Sequence, residues 1–221
     1  MTSSYDLFEA LKNNGHIKND RELLWWPRSG TFEVVVGAIL TQQTKWEKVE
    51  KSLLNLKNMG ILNIESLAKI EQNILAELIK PSGFYNTKAK NIKQLCINIK
   101  EEFENFDSFF LHVDRDWLLS QKGIGEESAD GILCYACKRE VMVVDSYTNR
   151  LLKKLGYEFE SYQEVQEWLV YGIEDNFNKI TNLYNYDVDL NTIYARFHGK
   201  IVEFCKENSK GKEVDVSSLN I

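Results

Sequence analysis

Apolar residues recur at three- and four-residue intervals along most of this chain, the spacing that lays one apolar stripe along a helix. In FEVVVGAILTQQTKWEKVEKSLLNLKNMG, Val35, Ile39, Trp46, Val49 and Leu53 fall on or near one stripe, and Gly60 is placed to stop it. IESLAKIEQNILAELIK, NTKAKNIKQLCINIKEEF, SADGILCYACKRE, SYTNRLLKKLG and LNTIYARFHGKIVEFCKEN read as helices in the same way. No stretch alternates convincingly with a period of two. VMVV, residues 141–144, is short and β-branched and reads as a buried connector. The pattern predicts an all-α fold of roughly ten helices joined by short loops. The end, SKGKEVDVSSLNI, reads as a loose tail.

Composition narrows the class. A length of 221 residues allows one large domain or two small lobes sharing a groove. Hydrophobic residues at 43% and charged residues at 27% are ordinary for a globular protein. No apolar run is long enough to span a bilayer, so no membrane partner is expected. The start carries no basic leader followed by an apolar stretch, and four scattered cysteines read as reduced thiols. A cytoplasmic location is the resulting expectation. The net charge of −6 argues mildly against nucleic acid, but a binder needs only a local basic face. Lysines and arginines do gather in PSGFYNTKAKNIK, CKRE, NRLLKK and ARFHGK, away from the acids of EEFENFD and GYEFESYQEVQEW.

Between two helical stretches lies KGIGEESA. Gly123 and Gly125 allow positive φ and close backbone approach, and Ser128 and Ala129 fall in the first turn of the next helix. Amide hydrogens at such a turn point outward together and suit a phosphate, aided by the helix dipole. This would position a backbone without reading a base. Glycine pairs are also ordinary punctuation between helices, so the spacing alone leaves a plain connector open. Asp145 follows VMVV and opens SYTNRLLKKLG, where an acid can serve simply as a helix N-cap.

GIGxxSA, an apolar helix and then VVDSY together resemble the signature of the helix–hairpin–helix DNA glycosylases, the endonuclease III superfamily. AILTQQT is similar to a segment of that family with the form LLSxQxT. SGFYNTKAKNI resembles its GLYxxKAxxI segment, and FHGKIVEF resembles its segment near the last helix. The four stretches run in order from about residue 25 to residue 205. The resemblance implies two helical lobes. Residues 28–139 would form one, ending in a helix–hairpin–helix near 115–137, and residues 1–27 with 140–221 the other, with the base pocket in the cleft between them. Double-stranded DNA carrying alkylated bases would be the partner, and the protein would act as a monomer.

The departures from the family pattern set the subclass. Lyase members carry a lysine two residues after the second hairpin glycine. Here that position is Glu127, eighteen residues before Asp145, and a carboxylate cannot form an imine. A monofunctional glycosylase using water as nucleophile is implied, with Asp145 as its catalyst. Lys122 replaces the usual proline and adds a cation near the phosphate. Only Cys205 follows residue 137, so the four-cysteine iron–sulfur cluster of many relatives cannot be built. Cys134 and Cys137 have CxxC spacing without a second pair, and packing explains them better than zinc.

A WWP run ahead of the first motif resembles the 3-methyladenine glycosylases of this branch, where aromatic side chains sandwich the extruded base. Trp25, Trp26, Pro27 and Trp46 are carried over on that basis; core filling is the other reading for Trp46. Glu127 could face the pocket or be a solvated helix acid, and Lys200 would lie near the pocket or the phosphate. By the same resemblance Gln42 or Gln43 fills the hole left by flipping. Gly123, Gly125, Lys122 and Ser128 hold the DNA backbone, and the carbonyls of Leu119, Gln121 and Ile124 bind a monovalent cation. His198 reads as a packing or hydrogen-bonding residue. Two other functions stay open: a glycosylase for a mismatched or oxidised base, and a non-catalytic helix–hairpin–helix DNA-binding module.

Overall fold

A computed structural model describes residues 3–16, 22–211 and 213–219. Their regular elements are helices apart from one small two-stranded ribbon. None of the described helices is long and apolar enough to cross a membrane. The chain divides into two compact units, Met1–Pro27 with Arg139–Ile221, and Arg28–Lys138.

Helix α1 (Ser4–Asn13) opens the first unit. The Ser3 hydroxyl accepts from the Asp6 amide and the Asp6 carboxylate accepts from the Ser3 amide, so two end donors are satisfied reciprocally. Leu7, Phe8 and Leu11 form its buried stripe.

The second unit begins with α2 (Phe32–Leu40), which is buried almost all round. The stripe expected to continue to Gly60 breaks here. Thr41 turns its hydroxyl back onto the carbonyls of Gly37 and Ala38 at 3.0 and 3.1 Å, Gln43 takes φ 52°, and the chain restarts as α3 (Trp46–Asn58). A hydroxyl that bonds the preceding turn, followed by a left-handed residue, ends a helix whatever the apolar spacing beyond it. Next come α4 (Ile64–Lys69) and α5 (Gln72–Leu78), both packed on the long α6 (Tyr85–Phe103). Phe84 leads into α6 with φ 45°. Helix α7 (Phe106–His112), α8 (Arg115–Ser120) and α9 (Glu126–Gly131) complete the regular elements. The helix expected to run through CYACKRE widens instead into a π-turn over Ile132–Ala136, closed by the Cys137 amide on the Ile132 carbonyl at 3.0 Å.

Residues 141–144 return the chain to the first unit as an extended connector, with Met142, Val143 and Val144 buried. It leads into α10 (Ser146–Lys154), α11 (Tyr162–Asp175), α12 (Phe177–Thr181) and α13 (Leu190–Glu207). Phe8, Leu11, Val144, Leu169, Phe197 and Phe204 share one core. The expected loose tail is corrected. Strands β1 (Ser209–Lys210) and β2 (Glu213–Val214) pair antiparallel, and Val214 and Leu219 are buried in that same core. Two apolar side chains with a core to enter are enough to dock the segment. Lys212, Asn220 and Ile221 lie outside the described residues.

Candidate active site

Asp145 sits where the buried connector becomes α10. It is the N-cap of that helix, and its Oδ1 accepts from the Thr148 amide at 2.8 Å and the Thr148 hydroxyl at 3.0 Å. Its other oxygen, Oδ2, lies 3.5 Å from Nε2 of His198 on α13. Both residues are buried. Burial alone pushes the Asp145 carboxyl up, but the imidazole of His198 and the two bonds from Thr148 outweigh it and hold the group below its ordinary value. Asp145 is an N-cap, and the same contacts keep it ionised in a dry place.

His198 also reaches the WWP segment. The Trp25 ring meets the imidazole edge-on with centroids 5.5 Å apart, and Trp26 stands edge-on to Trp25 at 6.3 Å. The Trp25 indole N–H donates to Glu203 on α13 at 3.0 Å. Trp25 takes φ 69°, a conformation that costs an L-residue about 1–2 kcal/mol. Anchors on both sides of the indole offset that cost and fix the ring. Asp145, His198, Trp25 and Trp26 thus form one chain of neighbours. The parts of His198 and Glu203 escape sequence reading, because each is more than fifty residues from the group it holds and carries no local signature.

Lys200 follows His198 by two positions, about 200° around a helix of 3.6 residues per turn. Its ammonium donates to the His16 carbonyl at 2.9 Å and lies 6.0 Å over the Phe8 ring. Burial, with the nearby charges of Arg196 and Lys12, pushes its pKa down to about 7. Its described partners are thus on the α1 side, not at Asp145.

The second unit carries the hairpin. Arg115 on α8 grips Asp130 on α9 through two bonds, Nε to Oδ1 at 2.7 Å and Nη2 to Oδ2 at 3.2 Å, which fixes the two helices flanking the turn. Gly123 has φ 84°, and a Cβ there would fall 2.0 Å from the Asn91 amide nitrogen. Packing therefore demands glycine at that position. Gly125 differs. It is extended, it caps α9 without a side-chain bond, and a Cβ built on it would meet nothing within 4 Å. Lys122 is exposed beside the turn, and Glu127 is exposed in the first turn of α9. Trp46 is the first residue of α3. The Gln121 carbonyl accepts from the Ile124 amide at 3.1 Å, which closes the turn.

The two glutamines of TQQT behave differently. The Gln42 amide donates to the Gly123 carbonyl at 2.8 Å and the Ser128 hydroxyl at 3.0 Å, tying its turn to the hairpin. Gln43 is exposed at the left-handed position. A neighbouring turn presents Phe84, 69% exposed and also left-handed, a residue the sequence reading did not single out. Lys88 was counted with a basic cluster, yet it is 3% exposed. The four cysteines are buried and form no disulfide, and among the described residues no group of His, Cys, Asp and Glu is arranged to hold a metal ion.

Residues 36–171 match the model of the HhH-GPD superfamily of base excision DNA repair proteins. A putative DNA repair glycosylase of Methanocaldococcus jannaschii is 40% identical over 196 residues, 85% of this chain and 82% of that one. The crystal structure of the H. pylori 3-methyladenine DNA glycosylase MagIII bound to 1,N6-ethenoadenine superposes with a TM-score of 0.91 at 49% identity, over 94% of this chain and 99% of that one. A non-covalent endonuclease III–DNA complex superposes with a TM-score of 0.75 at 19% identity over 100% and 95% of the two chains, a likeness of fold.

Proposed function

Because the chain belongs to the HhH-GPD superfamily of base excision DNA repair proteins, we propose that this DNA glycosylase is monofunctional and removes alkylated, positively charged purines such as 3-methyladenine from duplex DNA. The observation that carries the reading is the buried, ionised Asp145 joined through His198 to an anchored Trp25. The 49% identity to a 3-methyladenine glycosylase supports the same substrate class.

An N3-alkylated adenine is cationic before it reacts. An indole face attracts such a cation by about 0.5–2 kcal/mol. Trp25, Trp26 and Pro27 are the base-holding residues assigned here. Trp46 and Glu127 belong to the other unit, and their part in base recognition rests on the sequence resemblance. The cationic purine needs no general acid. The C1′–N9 bond breaks, its electron pair neutralises the base, and positive charge grows on the sugar. Asp145 stabilises that charge through its carboxylate. Oδ1 is engaged by Thr148, and Oδ2 is the oxygen beside His198. A water oxygen then bonds to C1′ and releases its proton to the carboxylate or to solvent, by analogy with other oxocarbenium-like cleavages.

No amine stands at the Glu127 position to attack the sugar. Lys88 and Lys200, the two lysines with strongly depressed pKa among the described residues, are buried and donate to backbone carbonyls. On the DNA side, the bare Gly125 leaves the α9 amides open to the close approach of a phosphate, beside Lys122 and Ser128. A monovalent cation held by the Leu119, Gln121 and Ile124 carbonyls would add positive charge there. Gln43 is the wedge, and Gln42 is the brace that ties its turn to the hairpin. Phe84 is a second plug of the apolar kind that unstacks base steps.

Incubation with methylated duplex DNA should release free 3-methyladenine, and borohydride should trap no covalent protein–DNA adduct. An absence of release would refute the substrate, and an adduct would refute the monofunctional assignment.

A further inference from the structure

Lys88 is a buried charge that the proposed chemistry does not use. It lies in the first turn of α6, where the helix dipole disfavours a cation, and among its described bonds there is no carboxylate. Its ammonium donates to the Leu40 carbonyl at 2.8 Å, the Gln42 carbonyl at 2.9 Å, the Thr44 hydroxyl at 2.8 Å and the Ser82 carbonyl at 2.9 Å. Three of these acceptors belong to the turn that carries Gln43, and the fourth belongs to the turn that carries Phe84. The Thr44 hydroxyl also bonds the Ser82 carbonyl, so the two turns are joined twice. The backbone amide of Lys88 donates to the Phe84 carbonyl at 3.0 Å, the first helical bond after that left-handed residue. Desolvation pushes the amine down to about 8, the signature of a charge kept where burial opposes it.

We infer that Lys88 is a positioning residue whose ammonium clamps the Leu40–Thr44 and Ser82–Phe84 turns together, so that Gln43 and Phe84 enter the duplex as one rigid pair of plugs. The inference rests on the reading of these turns as the duplex-opening elements. A side chain bonded to carbonyls of two separate turns sets their spacing, and a misplacement of about 1 Å in a positioning element can cost on the order of 10²-fold in rate. A purely apolar residue could fill the same space but could not define four acceptor directions at once.

The test uses Lys88→Met, with Thr44→Val as a milder variant that keeps the lysine and removes one acceptor. Extrusion is read with 2-aminopurine paired with thymine in a duplex, which reports opening whether or not the base is cut. Excision is read with 3-methyladenine placed opposite thymine and opposite an abasic analogue, where no partner base has to be unpaired. Lys88→Met should keep its fold by circular dichroism and bind duplex within about threefold of wild type. It should lose most of the 2-aminopurine signal and about 10- to 100-fold of excision opposite thymine, and recover most of that excision opposite the abasic analogue. Thr44→Val should show the same pattern at smaller size. Equal losses on the two excision substrates, or normal extrusion by a folded Lys88→Met, would overturn the role. A wild type that opens 2-aminopurine but releases no 3-methyladenine would refute the substrate reading alone, and the effect of Lys88→Met on extrusion would still decide the clamp.

Discussion

The two units place their polar groups in opposite ways. In the unit of α1 and α10–α13, Asp145, Thr148 and His198 are buried, Asp145 accepts from Thr148 and stands 3.5 Å from His198, and Trp25 is pinned by Glu203. In the unit of α2–α9, the groups assigned to DNA lie at exposed turns: Lys122, Gly125, Gln43 and Phe84. Chemistry on a cationic base needs a fixed carboxylate in a dry environment, because that is where a charge is worth most. Holding a backbone needs amides and side chains that water leaves readily. Even so, the exposed turns stand on bonded supports, Gln42 on the hairpin, Arg115 on the buried Asp130 and the buried Lys88 under two turns. In both units the groups proposed to meet DNA are held by bonded partners behind them, Asp145 by Thr148 and the exposed turns by Gln42, Arg115 and Lys88.

Three substitutions can break or sharpen this contrast. The largest effect is expected from Asp145→Asn, which keeps an N-cap acceptor but removes the charge. Single-turnover release of 3-methyladenine should fall on the order of 10³-fold or more while duplex affinity stays within a few-fold. A loss under tenfold would put the catalyst elsewhere. Next comes Gly123→Ala, a change on the DNA side that acts through packing. The left-handed φ and the clash with Asn91 should destabilise the protein by about 2–4 kcal/mol, seen as a fall in Tm of about 2–4 °C per kcal/mol. The smallest effect belongs to Gly125→Ala. Stability should stay within about 0.5 kcal/mol, while duplex affinity drops several-fold, a change of about 1 kcal/mol. Unchanged affinity would show that no phosphate approaches Gly125.

Much of this was legible in the sequence, and what was not has physical causes. Helical periodicity located most elements because each buries one stripe. The KGIG turn and the N-cap at Asp145 carry local signatures, and both elements form where those signatures stand. The break at Thr41–Lys45 was invisible because apolar spacing continues across it, and what ends α2 is a hydroxyl bond and one left-handed residue. Packing of the C-terminal segment was missed because Val214 and Leu219 are isolated apolar residues, whose burial depends on a core assembled from α1, α10 and α13. Lys88 reads as part of a basic cluster, and only the fold shows its four acceptors, drawn from two separate turns. The pairing of His198 with Asp145 is likewise a fact of tertiary structure.

In the proposed mechanism the charge state of Asp145 carries the chemistry. Its folded pKa is lowered, so the carboxylate stabilises the fold above the unfolded value of about 3.9, and that contribution is lost as pH falls through the lower folded value. The direct measurement is a carbon NMR titration of the aspartate carboxyls, with Asp145 assigned by the signal missing in Asp145→Asn, in the wild type and in His198→Gln. A wild-type midpoint below about 3.9 that rises in His198→Gln is the expected result. A wild-type midpoint at or above that value, unmoved by His198→Gln, would contradict a carboxylate held ionised for catalysis.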